Sequence, residues 1–438
     1  MTKGSKKRLI ERIKSLLIVV LSCSAIFLTV RTQAVIVNSN RSSDTQASGV
    51  GAPASPEDTG AAAHPLRMAA AIPQGNEMVR YGVQYDQDAV DTLFQQASSL
   101  LLEALSSASQ PQAVDEERWQ AALTSAPGLY FDWQGELPLT VLTGWLSVNN
   151  PALTGTVRRM VLTAEEGQVL LYYWDESSDR CFMCTADVIS GERLVEVVSS
   201  LQENGAQFAF ETEEYSDLSP YTMILPQNSS PAAYSVSNPL SSEGNRRNLQ
   251  EQLGFPENSV YYEAAGELVI RNRNDTLHLA DDGLVIYEAA AEGSDRYRLP
   301  SAGLYDAVEG CRQLVQQTLG QFCGAASLYL MSVAETGEGG WQVEFGYSLN
   351  GVQVRIGEEG WAARFVVEQG QIIDFQLCFR NYTDSGTTSV VLPERQAMAA
   401  MATAGHSGEE LLLVYLDNGG EELISASWAA IDNLESGR

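Results

Sequence analysis

The chain has 438 residues, 44% of them apolar, with 56 acidic side chains against 27 lysines and arginines and a formal net charge of −29. Residues 1–37 hold seven of those cations against one acid, a net of +6, so the remainder carries −35. So acidic a body repels nucleic acid and anionic lipid, which excludes nucleic-acid binding. No lysine follows Lys14, so Schiff-base, Ser-Lys and P-loop chemistry are also excluded from the rest of the chain.

Residues 1–14 form a basic end with Lys3, Lys6, Lys7, Arg8, Arg12 and Lys14. The apolar run SLLIVVLSCSAIFLTV follows at 15–30. At roughly 1.5 Å per residue it spans about 24 Å, against a hydrocarbon core of about 30 Å. Residues 34–37 (AVIV) extend it, and Lys14 and Arg31 can snorkel. The pattern predicts an uncleaved transmembrane anchor over 15–37, with the basic end cytoplasmic and the bulk extracytoplasmic. A cleaved signal peptide is the rival, but LTVRTQA puts Arg31 where a small-residue site belongs. The VLSC ending at Cys23 only loosely matches a lipoprotein box. Ser22, Ala25 and Thr29 fall at i, i+3 and i+7, a smooth stripe on which another membrane helix can pack.

Residues 38–65 are rich in Ser, Ala, Gly and Pro and read as a disordered tether. Three domains are expected beyond it: 66–226, 227–300 and 301–438. The first opens with a hairpin (66–72 and 77–83), followed by a helix to about 107 capped by Asp86 and Asp88. Val90, Leu93, Phe94, Ala97, Leu100, Leu101, Ala104 and Leu105 supply its 3.6-residue period. A second helix at 115–126 precedes strands at 128–133, in LPLTVLTGWL (137–146), and at 158–163, 168–174 and 181–188. A helix at 191–204 follows.

The Ser, Asn and Pro-rich stretch 227–243 reads as a boundary. The small central unit has a helix at 246–253 and a four-stranded meander over 260–289. The last unit repeats the plan with a helix at 304–322 and strands at 326–335, 340–349, 352–356, 362–368 and 371–382. A helix at 393–402 and strands at 411–416 and 423–430 close it. Asn350-Gly351 and Gln369-Gly370 are hairpin turns. The fold class is α+β: an N-terminal transmembrane helix followed by three helix-plus-antiparallel-sheet domains, the last two of PepSY or cystatin-like helix-meander type.

Chemical motifs are sparse. His64 lies in the tether, His278 in the meander and His406 in the turn-like AGHSGEE, with no G-x-S-x-G elbow. Cys181, Cys184, Cys311, Cys323 and Cys378 are odd in number and read as small core residues, Cys181 and Cys184 forming a lone C-x-x-C. Glu211, Glu213, Glu214, Asp281 and Asp282 read as solvated faces or turn formers. No catalytic residue, metal ligand or cofactor site is expected. Trp133, Trp341 and Trp361 are ligand platforms if exposed and core residues if buried.

Several stretches resemble the YycH and YycI proteins of Gram-positive bacteria. In FGYSLNGVQVRIGEEGWAARFVVEQGQIIDFQLCFRNY the matching positions are Tyr347, Gly351, Val354, Val367, Gly370, Ile372 and Phe375. LHLADDGLVIYEA matches at Leu277, Gly283 and Tyr287, and MVRYGVQYD and the terminal MILP of the first domain also fit. The long tether, the missing lysines and the odd cysteines depart from the pattern. The resemblance implies a non-enzymatic accessory regulator acting on a WalK/YycG-type sensor histidine kinase that controls cell-wall homeostasis. It also implies a YycI-like single-span partner and contact between membrane helices. An anchored module that inhibits a peptidase or binds a wall ligand is the alternative.

Overall fold

The computed structural model describes residues 60–431, apart from 76, 228–229, 257–258, 265–266, 274, 291–293, 338 and 421. The expected anchor at 15–37, most of the tether and the stripe Ser22, Ala25 and Thr29 lie outside the described residues. Among the described residues no helix is long and apolar enough to cross a membrane.

The first part of the chain runs β1 (Arg67–Gln74), β2 (Glu77–Gln84), α1 (Gln87–Ser107), β3 (Gln112–Val114), α2 (Glu116–Thr124) and β4 (Gly128–Pro138). It continues with α3 (Leu139–Trp145), β5 (Thr156–Glu165), β6 (Gln168–Asp175), β7 (Arg180–Ser190), α4 (Gly191–Ser199), β8 (Gln207–Phe208) and β9 (Met223–Ile224). Seven strands form an antiparallel sheet in the order β2-β1-β4-β5-β6-β7-β3. Successive strand side chains alternate faces, and helices cover both faces of this sheet. Met68, Ala70, Phe131 and Met160 share a cluster with Leu93, Phe94 and Leu101 of α1. Ala69, Tyr130, Val161 and Tyr172 share another with Trp119 of α2. Double coverage explains why β4 is buried almost end to end.

The predicted helix starts are present. The Asp86 carboxylate accepts from the Ala89 N–H, and Asp115 accepts from the Arg118 N–H. All eight apolar positions expected on α1 are buried. The segment 137–146 is a correction: it enters as the end of β4 and becomes α3 instead of continuing as a strand. A short run apolar at nearly every position carries no period. Here burial of Leu139, Val141, Leu142 and Trp145 together selects the helix.

The remainder comprises β10 (Ala232–Ser237), α5 (Glu243–Gln252), β11 (Val260–Ala264), β12 (Glu267–Asn272), β13 (Asp275–Ala280) and β14 (Leu284–Glu288). Next come α6 (Leu304–Gln317), β15 (Ser327–Glu335), β16 (Trp341–Leu349), β17 (Val352–Ile356), β18 (Ala363–Glu368), β19 (Gln371–Cys378) and β20 (Asn381–Thr388). The chain closes with α7 (Glu394–Ala404), β21 (Glu410–Asp417), β22 (Leu423–Ile424) and β23 (Ala426–Ile431).

An 11-stranded sheet runs β11-β12-β13-β14-β19-β18-β16-β17-β21-β23, with β15 on the other side of β16. The β14–β19 pairing joins the meander at 260–288 to the strands of the last unit. Helix α6 packs its buried residues Val308, Cys311 and Val315 into the same core as Phe345, Phe365 and Phe375. Both predicted hairpin turns adopt positive φ at both central residues: 52° and 81° at Asn350-Gly351, and 50° and 76° at Gln369-Gly370.

Three further differences from the sequence-based expectation concern where elements end and pair. The helix expected over 304–322 stops at Gln317, where the Thr318 hydroxyl donates to the Leu314 carbonyl at 2.6 Å. The strand expected over 371–382 breaks after Cys378, because buried Arg380 turns inward to Asp417. Beyond the break β20 leaves the large sheet and pairs with β10. The boundary stretch thus contains a strand, whose alternating Tyr234 and Val236 are buried.

Candidate functional site

The residues singled out in the sequence do not converge. His64 pairs with Asp91, His278 with Glu267 and His406 with Glu409. Glu211 pairs with Arg80 and Glu214 with Arg395. Trp133 and Trp361 are buried and Trp341 is half-buried, so the first two are not surface platforms. Among the described residues no three metal-ligating side chains cluster. The five described cysteines are free, and burial pushes the Cys181, Cys184 and Cys378 thiols up to about 12, away from thiolate chemistry.

What the fold assembles instead is a buried charge cluster of five residues from four strands distant in sequence. Arg67 enters from β1, Asp132 from β4, Arg158 and Arg159 from β5, and Glu410 from the first position of β21. The side chains of Arg67, Asp132 and Glu410 have no solvent exposure. Arg67 donates from Nε to Asp132 Oδ2 at 2.7 Å and from its terminal nitrogen to Glu410. Arg158 bridges Asp132 at 3.2 Å and Glu410 at 2.7 Å, and Arg159 reaches Glu410 at 3.1 Å. Adjacent strand residues normally point to opposite faces. A register shift between Val157 and Met160 lets both arginines reach the same acids.

Electrostatics hold the cluster ionised. Burial pushes the Asp132 and Glu410 carboxyls up, but Arg158, Arg67 and Arg159 outweigh it and hold both well below the usual carboxylate range. The Tyr130 hydroxyl and the Gln134 backbone N–H donate to Asp132 as well. At the rim the balance reverses. Burial, with Glu176 adding repulsion, pushes Glu136 up to about 7, and burial raises Glu176 itself. Neither acid lines either of the two described pockets. Both acids are spent on the three arginines, so the cluster works as a clamp between the seven-stranded sheet and β21.

The surface offers a different kind of site at the far end of the large sheet. Strand β11 is terminal, pairs only with β12 among the described strands, and exposes Val260 (69%), Tyr261 (67%) and Tyr262 (43%). Proteins usually blunt such edges with charge, proline or a covering segment. The edge of β2 is covered in that way, with the Asn204 side chain donating to and accepting from the Gly82 backbone. At β15, a methyl group at Gly135 of β4 would collide with the Leu330 carbonyl, so that flank too is occupied. An unpaired ladder beside two exposed tyrosines suits the addition of an extended strand from another chain. The sequence signal was a VYY triplet in a strand with no second arm before it.

No family model matches the chain, and no curated protein matches its sequence. Among solved structures, the crystal structure of YycH from Bacillus subtilis superposes on 85% of this chain and 94% of its own, with a TM-score of 0.55 and 10% identity. The chain has the YycH fold. At 85% of the chain, the likeness is not confined to one helix-meander unit.

Proposed function

We propose that the chain is a non-enzymatic, membrane-anchored regulator of a WalK/YycG-type sensor histidine kinase. In this reading residues 15–37 cross the membrane, and Ser22, Ala25 and Thr29 pack against kinase helices. The acidic body stands outside, where the β11 edge accepts a strand from a YycI-like single-span protein. The YycH fold, shared over 85% of this chain and 94% of the YycH chain, carries the reading. The buried charge cluster supports it too, since it ties the body into one unit without opening a reactive group to solvent.

Deleting the gene and following phosphorylation of the kinase's response regulator tests the proposal. Output is expected to shift, to be restored by the full chain, and to be restored poorly when residues 16–30 are replaced by polyleucine. Unchanged phosphorylation after deletion contradicts it.

A further inference from the structure

Between β20 and α7 the chain reads SVVLP, residues 389–393. Val390 is 97% exposed and Leu392 54%. A single exposed apolar side chain is ordinary, but this loop is braced at both ends. Buried Ser389 donates from its N–H to the Pro231 carbonyl at 2.7 Å. Its hydroxyl donates to the Ala232 carbonyl at 3.1 Å and accepts from the Ala426 N–H at 2.9 Å. The Leu392 carbonyl accepts from the Trp428 indole N–H at 2.8 Å. The fold therefore holds Val390 out in solvent between two fixed points.

Charge is scarce in the same stretch. Residues 385–408 contain one acid, Glu394, and one cation, Arg395, a net of zero in a body that carries −35. Helix α7 exposes Gln396, Ala399, Ala400, Thr403 and Ala404, all uncharged. This surface also lies near the corner where the described residues begin. Arg67 pairs with Gln84 across β1 and β2, which puts the entering segment beside Tyr85. The Tyr85 ring meets the Trp428 ring edge-on at 6.5 Å, and Trp428 in turn supports Leu392.

We propose that loop 390–392 and the exposed face of α7 rest on the lipid surface, with Val390 and Leu392 inserted among the upper acyl chains. The inference rests on the anchor over 15–37. At full extension residues 38–59 span at most about 75 Å, which confines an anchored body to the neighbourhood of the bilayer. A tethered contact needs little affinity of its own. Hydrocarbon moulds itself around a protruding apolar loop, whereas a protein partner would need a matching hollow. The neutral stretch spares this face the repulsion that the acidic body meets from anionic headgroups. Trp428 beside the loop has the amphipathic ring of an interfacial residue.

The test uses the full chain in phosphatidylcholine nanodiscs, with a fluorescent coumarin amino acid in place of Val390. A control chain carries it in place of Tyr261 on β11, at the other end of the large sheet from β23. Lipid brominated near the top of its acyl chains is the quencher. It should quench the label at Val390 and leave the one at Tyr261 unchanged. Leu392→Asp should remove most of that quenching at unchanged melting temperature, and Leu392→Ser serves if the aspartate lowers it. Incorporated chain whose Val390 label is quenched no more than the Tyr261 label overturns the proposal. Full quenching in both Leu392 variants does the same. A label shielded only when a second protein is co-reconstituted also overturns it and assigns the face to a protein partner. These three outcomes leave the anchor reading standing. Failure of the chain to enter the discs overturns the anchor reading, and this inference with it.

Discussion

Arg67, at the first position of β1, hydrogen-bonds Glu410, 343 residues later at the first position of β21. Neither side chain reaches solvent. The contact ties the start of the described body to its end, and Asp132, Arg158 and Arg159 complete it. Buried ion pairs contribute little net stability when made, but breaking one leaves an uncompensated charge, at about 3–5 kcal/mol. Glu410→Gln and Arg67→Met are therefore each expected to destabilise the body by about that amount in urea denaturation. The double variant should cost clearly less than the two single costs combined, because it removes both charges.

Acid sensitivity follows from the same carboxylates. Asp132 and Glu410 are held below their ordinary values of 3.8 and 4.5 in the folded state. Their stabilisation is fully present above those ordinary values and is lost as pH falls below them toward the folded values. Melting temperature should thus drop steeply below about pH 4.5. Glu410→Gln should remove part of that dependence.

Glu136 has the opposite sign. Its folded value of about 7 lies above the ordinary 4.5, so the folded state holds the proton more tightly. Stability from this group is present below pH 4.5 and is lost as pH rises toward 7. Glu136→Gln should therefore raise the melting temperature at pH 7.5 more than at pH 5. Equal effects at both pH values would show that the Glu136 carboxyl ionises freely in the fold.

Strand β11 makes a prediction about association alone. Val260 and Tyr261 are 69% and 67% exposed, so replacing both with lysine removes little packing. Stability should change by no more than about 0.5 kcal/mol. Binding of the YycI-like partner should fall about tenfold or more, because lysine on an open edge opposes strand addition. Pull-down from solubilised membranes, beside thermal melting, separates the two effects.

Much of the architecture was legible in the sequence because local physics decides it. The α1 stripe from Val90 to Leu105 is a simple 3.6-residue period, and Asn350-Gly351 has the chemistry its turn demands. Helix α3 was not legible, since Leu139, Val141 and Leu142 carry no period and only their burial selects the helix. The clamp was hidden for another reason. Arg67, Asp132, Arg158, Arg159 and Glu410 each look like ordinary strand charges, and only the sheet order and a β5 register shift bring them together. The break after Cys378 likewise depends on Asp417, 37 residues beyond Arg380.

Photo-crosslinking in intact membranes, with a benzophenone amino acid in place of Tyr261, tests the regulator reading most directly. It should yield an adduct with the YycI-like single-span protein, absent when Val260 is also changed to lysine. A body that forms no adduct at β11, in cells whose kinase output is indifferent to the gene's deletion, would contradict it.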